Sequence, residues 1–381
     1  MFLALLACAP VDDGFEKPPL PGAQRPTDQQ DETGFVDTAD TAIVDTEEPI
    51  DTGDTQDTDE PEDEPCPAGV ICVDRDLPYW DDNSTNGGSR KFDSYSCASS
   101  TDESGPEVIY RVILDEPGFL AADLRDMGSG ADVDVHVLDA LDEDACLNRG
   151  HWAAGAFLDK GTYYVVADTW VSSSGDEQKG SYGLQIGAVT TDDMADAGLD
   201  EETAELSLEA LDRAWSEGHT DHLVYGVIDY SLYSAEERFW IWDMAAEDLL
   251  WKLHVTHGEA SAKATDPGWA VRFSNVPESH KSSLGMFLTA EDYYGMWDHS
   301  LRYDGLESGY NDNVRSRAIV LHGADWARAD MVDDYGMVGL SWGCTTIDDR
   351  IISDVIADIM GGFVWSYYDD GDWSKNSTYL P

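Results

Sequence analysis

Ser341-Trp342-Gly343-Cys344-Thr345-Thr346 sets a cysteine directly behind a glycine, and His322 follows the run Arg317-Ala318-Ile319-Val320-Leu321 with Gly323 after it. A thiol attacks carbonyl carbon as the thiolate, so a nucleophilic cysteine needs a base, and an imidazole is the usual one. A cysteine and a histidine on neighbouring strand ends form an acyl-transfer pair. Gly343 permits a sharp backbone turn, so the N–H groups of Gly343 and Cys344 can converge on a developing oxyanion. Ile351, Ile352, Val355, Ile356 and Ile359 fall on one face of a helix that Gly361-Gly362 ends. Cys344 is expected directly before that helix, where the positive end of the dipole would lower its pKa. The competing reading is a buried structural cysteine and an unrelated histidine.

These residues need elements to hold them. β-type runs are expected at 223–230, 238–242, 249–255, 285–289 and 317–321, with a last strand at 363–368. Leu206, Leu208, Leu211 and Trp215 recur at helical spacing, so 199–218 reads as an amphipathic helix ending at Gly218. Upstream, 108–114, 132–138, 163–168 and 181–186 alternate with period two between glycines, the pattern of an antiparallel β-sandwich. Within 132–138, Val133, Val135 and Val137 share one face and Asp132, Asp134 and His136 the other. That polar face reads as solvated, with a metal site at Asp132 and Asp134 as the lesser alternative. The fold class is therefore mainly β with α: a sandwich over 66–190, a β-rich α+β domain over 199–370, and a tail at 371–381.

The chain carries 78 Asp plus Glu against 22 Lys plus Arg, a net charge of −56. So acidic a protein is a poor partner for nucleic-acid phosphates or anionic lipid. Residues 11–65 hold 19 acidic and 2 basic side chains, a net of −17 that leaves −39 for the rest of the chain, so the folded part is acidic too. The Asp/Glu/Thr/Pro segment 9–65 reads as a disordered linker because it has too little apolar surface to offset ordering. The apolar run before Cys8 resembles the lipobox of a bacterial lipoprotein signal over 1–8, although no Lys or Arg precedes it. The resemblance implies lipidation of Cys8, a membrane anchor, and a place in the cell envelope, at the periplasmic face of the outer membrane. Cys66, Cys72, Cys97 and Cys146 read as two disulfides in an exported protein, with three connectivities open. Cys344 is left over by this arithmetic.

Two family resemblances follow. Tyr110-Arg111-Val112, Pro117-Gly118, Asp132-Val133-Asp134-Val135, Gly161-Thr162-Tyr163-Tyr164-Val165 and Gly180-Ser181-Tyr182 resemble the bacterial pre-peptidase C-terminal domain, which implies an accessory module. The blocks Ile228-Asp229-Tyr230-Ser231-Leu232, His257-Gly258, Ser282-Ser283-Leu284-Gly285, Tyr293-Tyr294-Gly295, Ser300 to Leu306, Tyr310 to Asn313, Arg317 to Ala324 and Ser341-Trp342-Gly343-Cys344 resemble the murein L,D-transpeptidase catalytic domain family. The second resemblance implies a cysteine acyltransferase acting on peptidoglycan stem peptides without metal or organic cofactor. It makes Cys344 the nucleophile, His322 its base, the Gly323 carbonyl the orienter of the imidazole, and Gly343 with Cys344 the oxyanion donors. Ser341, in the same motif, joins the substrate-binding candidates.

The wider superfamily has His before the Gly-Cys pair and Arg or Asn soon after, whereas this chain has Trp342 and then Thr345, Thr346 and Ile347. Recognition of the substrate carboxylate then falls to another cation, and Arg302 and Arg315 are the candidates, with surface ion pairing as the alternative for each. Asn311 and Asn313 are candidates for holding substrate amides, with turn formation as theirs. His257 is a second-choice base. A carboxypeptidase passing the same acyl-enzyme to water, and a non-catalytic wall-binding lipoprotein, are the alternative functions.

Overall fold

The computed structural model describes residues 65–381. The signal at 1–8 with Cys8, and the acidic segment up to residue 64, lie outside the described residues. The first unit comprises β1 (Val70–Asp74), β2 (Tyr79–Ser84), β3 (Val108–Leu114), β4 (Gly118–Arg125), β5 (Val133–Leu138), β6 (Cys146–Gly150), β7 (Ala153–Leu158), β8 (Gly161–Thr169) and β9 (Ser181–Thr190). They form two sheets, ordered β1-β3-β8-β5-β6 and β2-β9-β4-β7. Every pairing is antiparallel except β1 with β3. Val112, Val133, Val135, Val137 and Val165 face Leu120, Ala122, Leu184 and Ile186 across the gap, the alternation that makes a sandwich core. Within this unit disulfides join Cys66 to Cys72 and Cys97 to Cys146.

The outer face of β5 departs from expectation, because Asp134 and His136 are buried and not solvated. The segment before β3 folds over them. Tyr95 stacks on His136 with ring centroids 3.7 Å apart, and Glu103 Oε2 lies 2.9 Å from His136 Nε2. Asp132, Asp134 and His151 bring three metal-ligating atoms within 4.8 Å of one another. Arg149 already pairs with Asp134 there, which lessens the need for a metal ion.

The second unit contains α1 (Thr191–Asp196), α2 (Glu201–Ser216), β10 (Val224–Asp229), β11 (Phe239–Asp243), β12 (Asp248–Leu253), β13 (Ala262–Lys263), β14 (Asp266–Ala270), β15 (Gly285–Gly295), β16 (Asp298–Gly305), β17 (Val320–Ala324), α3 (Asp330–Tyr335), β18 (Thr345–Asp348), α4 (Ile352–Ile359) and β19 (Phe363–Tyr367). Eight strands form one sheet in the order β12-β11-β10-β19-β15-β16-β17-β18. α2 starts where the Asp200 carboxylate accepts from the Glu202 and Thr203 amides, capping otherwise unsatisfied donors. It buries Leu208, Leu211 and Trp215 in a cluster that also holds Phe119, Ala121, Ala153 and Val189 of the sandwich. The two units thus share a core. Residues 371–381 are not a loose tail: Trp373, Tyr379 and Leu380 are buried in that cluster, and Trp373 Nε1 donates to Glu307 Oε2 at 3.0 Å.

Candidate active site

β17 runs parallel to β18 in the register His322↔Thr346, so the two side chains stand on one face of the sheet. Side chains alternate along a strand, so two residues back from Thr346 the chain returns to that face as it leaves the Cys344 turn. The pairing thus sets the Cys344 turn at the start of the strand that lies beside His322. It also corrects two expectations. His322 lies in the middle of a strand that begins three residues later than expected, because a turn runs through Ala318, which sits at φ 52°. Cys344 directly precedes the strand β18, and α4 begins only at Ile352, so no helix N-terminus acts on the thiol.

His322 is buried, and its Nδ1 lies 3.0 Å from the Gly323 carbonyl. A carbonyl can only accept, so Nδ1 carries the proton and Nε2 presents a lone pair. Thr346 Oγ1 donates to that lone pair at 3.1 Å. Burial pushes the imidazole pKa down to about 4, against the opposing effect of the Gly323 bond. His322 is therefore neutral at ordinary pH, as a base must be. Trp297 lies over the ring at 5.1 Å and 17°, and Trp326 meets Trp297 edge-on at 5.2 Å. A Cβ on Gly323 would lie 2.6 Å from Asp349 Cα, so only glycine lets β17 pack this closely against the β18–α4 connection.

Cys344 is fully buried, with Sγ 3.7 Å from the Ala318 carbonyl. Among the described residues no cysteine is free, so Cys344 is not the leftover thiol of the cysteine count. Nucleophilic chemistry requires it reduced. Ser341 organises the turn: its hydroxyl donates to the Cys344 carbonyl at 2.8 Å and accepts the Gly343 N–H at 3.1 Å. The Gly343 amide expected in an oxyanion pair is thus used within the turn. Ser341 also tethers it, donating its N–H to the His257 carbonyl at 3.0 Å and accepting the Glu259 N–H at 2.7 Å. Trp342 stacks on His280 at 4.5 Å and 6°, and His280 Nδ1 is 2.7 Å from Glu259 Oε1.

The other sequence candidates divide. His257 is no base: Arg238 donates to its Nδ1 at 2.9 Å, and its Nε2 lies 3.0 Å from the Pro267 carbonyl. Burial and then the Arg238 charge push its pKa down to about 3. Asn311 does not face substrate, for it is buried, donating to the Met286 carbonyl at 2.9 Å and accepting the Glu307 N–H at 2.7 Å. Asn313 ties its turn to Asn275 through two bonds of 3.0 and 3.2 Å. Arg315 is clamped by Asp304 and Glu291, with bonds of 2.9 and 3.0 Å to the latter. Arg302 shares Glu291 at 3.2 Å and lies over Tyr293 at 4.1 Å. The register Arg302↔Val320 beside Ser300↔His322 sets Arg302 on the face of His322.

Sequence reasoning missed Thr346, Trp297, His280 and Arg317. Only Thr346 left a signal, its position two residues after Cys344 in a β-branched run. The others reach the site from distant loops.

A model of the L,D-transpeptidase catalytic domain family matches residues 195–368. No curated protein matches the chain. Among the solved structures that match, two align with about a third of it. One is the pre-peptidase C-terminal domain of a collagenase from Bacillus anthracis, at 12% identity over 33% of this chain and 99% of that one, with a TM-score of 0.21. The other is PliG of Aeromonas hydrophila, a periplasmic inhibitor of g-type lysozyme, at 11% identity over 32% and 97%, with a TM-score of 0.21. At that TM-score neither bears on the fold. The segment that carries Cys344 and His322 is, by the family model, similar to L,D-transpeptidase catalytic domains.

Proposed function

We propose that the protein is a cysteine L,D-transpeptidase of peptidoglycan. The reading rests on one observation above the rest: the β17–β18 register sets the Cys344 turn beside a buried, neutral imidazole whose Nε2 is the unprotonated nitrogen. The thiol proton passes to Nε2 as the Thr346 hydroxyl turns aside, and the thiolate attacks the carbonyl carbon after the L-centre of diaminopimelate in a tetrapeptide stem. The tetrahedral oxyanion meets the Cys344 amide, with the Gly343 amide joining once it leaves Ser341. One such donor is typically worth about 10²–10³ in rate. Collapse breaks the C–N bond, the imidazolium returns its proton to the departing D-alanine amine, and a thioester remains. A stem amine then attacks the thioester, loses a proton to His322 and expels the thiolate, leaving a 3–3 cross-link. Anchoring through a lipid on Cys8, at the periplasmic face of the outer membrane, belongs to the same proposal.

The test incubates the full chain with disaccharide tetrapeptide, with and without reductant, beside Cys344→Ala, and reads muropeptides by mass spectrometry. Cross-linked 3–3 dimers that require Cys344 are expected. Tripeptide alone means that water is the acceptor and the protein is a carboxypeptidase. Products equal to those of Cys344→Ala under both conditions overturn the reading.

A further inference from the structure

Arg317 is 2% exposed, yet every partner of its guanidinium is neutral. Nη1 donates to the Ser274 carbonyl at 2.7 Å and to Ser283 Oγ at 2.6 Å, and Nη2 donates to the Lys281 carbonyl at 2.7 Å and to Ser279 Oγ at 3.2 Å. Nε has no partner. Among the described residues no carboxylate counters the charge, and burial alone pushes its pKa down to about 10. A buried, uncompensated cation is costly, so a fold that keeps one invites the question of which anion it serves.

The neighbourhood points to Cys344. Ala318, the next residue, offers the carbonyl in contact with Cys344 Sγ. On the other side, the Lys281 carbonyl that Arg317 holds lies 2.6 Å from where a Cβ on Gly343 would sit. The same four bonds pin the loop 274–283, in which Glu278 and His280 take positive φ of 57° and 53°. Left-handed backbone at two non-glycine residues persists only where the surroundings impose it.

The other charged or titratable groups around the turn do not replace Arg317. Arg302, on the face of His322, is paired with Glu291. His322 is neutral. His280 is paired with Glu259. Arg238 reaches the turn only through the neutral His257. Lys281 is partly exposed, so solvent screens it.

We infer that Arg317 is a positioning residue that holds the 274–283 loop against the nucleophile turn and stabilises the Cys344 thiolate with its buried charge. The inference rests on Cys344 as nucleophile and adds that its thiolate is balanced by Arg317 more than by a His322 imidazolium. The test follows alkylation of Cys344 by iodoacetamide against pH in the reduced full chain, read on the Cys344 peptide by mass spectrometry. The wild-type thiol is expected to titrate about one unit or more below the ordinary value of about 8.5. His322→Gln keeps most of that depression and Arg317→Lys part of it. Arg317→Met removes it, cutting the alkylation rate at about pH 6.5 roughly tenfold.

A wild-type thiol titrating near its ordinary value overturns the inference, as does a depression that vanishes in His322→Gln or survives intact in Arg317→Met. The first two outcomes decide the matter even if Arg317→Met does not fold. Alkylation needs no peptidoglycan, so a depressed thiol pKa without muropeptide products refutes the transpeptidase reading and leaves this one standing.

Discussion

Gly343→Ala isolates the backbone requirement of the nucleophile turn. Gly343 sits at φ +113°, and a Cβ there would lie 2.6 Å from the Lys281 carbonyl oxygen and 3.0 Å from Ile319 Cδ1. The backbone alone costs an alanine about 1–3 kcal/mol. The carbonyl cannot retreat freely, because Arg317 Nη2 holds it at 2.7 Å, and losing a buried hydrogen bond to a charged group costs about 1.5–3 kcal/mol more. The expected destabilisation is the sum, about 4 kcal/mol. Gly309→Ala is the control, since Gly309 has φ +85° and nothing within 4 Å of an added Cβ. Urea unfolding of the three proteins by circular dichroism separates strain from clash. Gly343→Ala should fall below Gly309→Ala by about 2 kcal/mol and lose the Cys344-dependent products. Equal stabilities for the two variants would refute the claim that the Lys281 carbonyl is fixed against the turn.

Three further predictions rest on buried side chains. In ¹⁵N-histidine NMR, His322 should be the Nδ1–H tautomer and His257 the Nε2–H tautomer. Both should remain neutral at about pH 5.5, where an ordinary histidine is about nine-tenths protonated. Because the folded pKa of His322 is lowered to about 4, its contribution to stability is complete above the ordinary 6.5 and is lost as pH falls through that window. The difference in unfolding free energy between wild type and His322→Gln should therefore shrink by about 3 kcal/mol towards pH 4, and a constant difference would contradict the burial argument. Trp373→Ala should cost about 3–5 kcal/mol in urea unfolding, as for a large core aromatic, whereas a loose C-terminal segment would lose almost nothing.

What the sequence disclosed follows from which forces are local. The sandwich strands were legible because Val133, Val135 and Val137 alternate, and α2 because Leu208, Leu211 and Trp215 recur at helical spacing. Cys344 and His322 were legible as residue types in a motif. The strand between Cys344 and α4 was not, because Thr345-Thr346-Ile347 is short enough to pass for the lead-in to a helix, and only pairing with β17 makes it β. Asn311 read as substrate-facing or turn-forming because it is polar, yet it is buried, donating to the Met286 carbonyl and accepting the Glu307 N–H. Arg317 gave no signal at all, because the loop whose carbonyls it satisfies is distant in sequence. Asp134 and His136 deceived in the same way: period two gives the face, and the segment that covers it comes from elsewhere in the chain.

The shared core bears on how the enzyme would work. Trp215 meets Phe119 of the sandwich edge-on at 6.4 Å and Phe363 of β19 at 6.5 Å. Asp212 accepts the Phe157 N–H of β7 at 2.9 Å, and a Cβ on Gly187 of β9 would lie 2.4 Å from the Ala245 carbonyl. These contacts run from the sandwich through α2 to the sheet whose far strands carry His322 and Cys344. Domains joined by a small polar surface move freely, whereas an apolar surface packed like an interior does not. Any swing of the active site relative to the sandwich would open that core and expose Leu208, Leu211 and Trp215 to water. The sandwich is thus a fixed extension of the unit that carries Cys344 and His322, and a partner bound to it would be held at a set distance and orientation from Cys344.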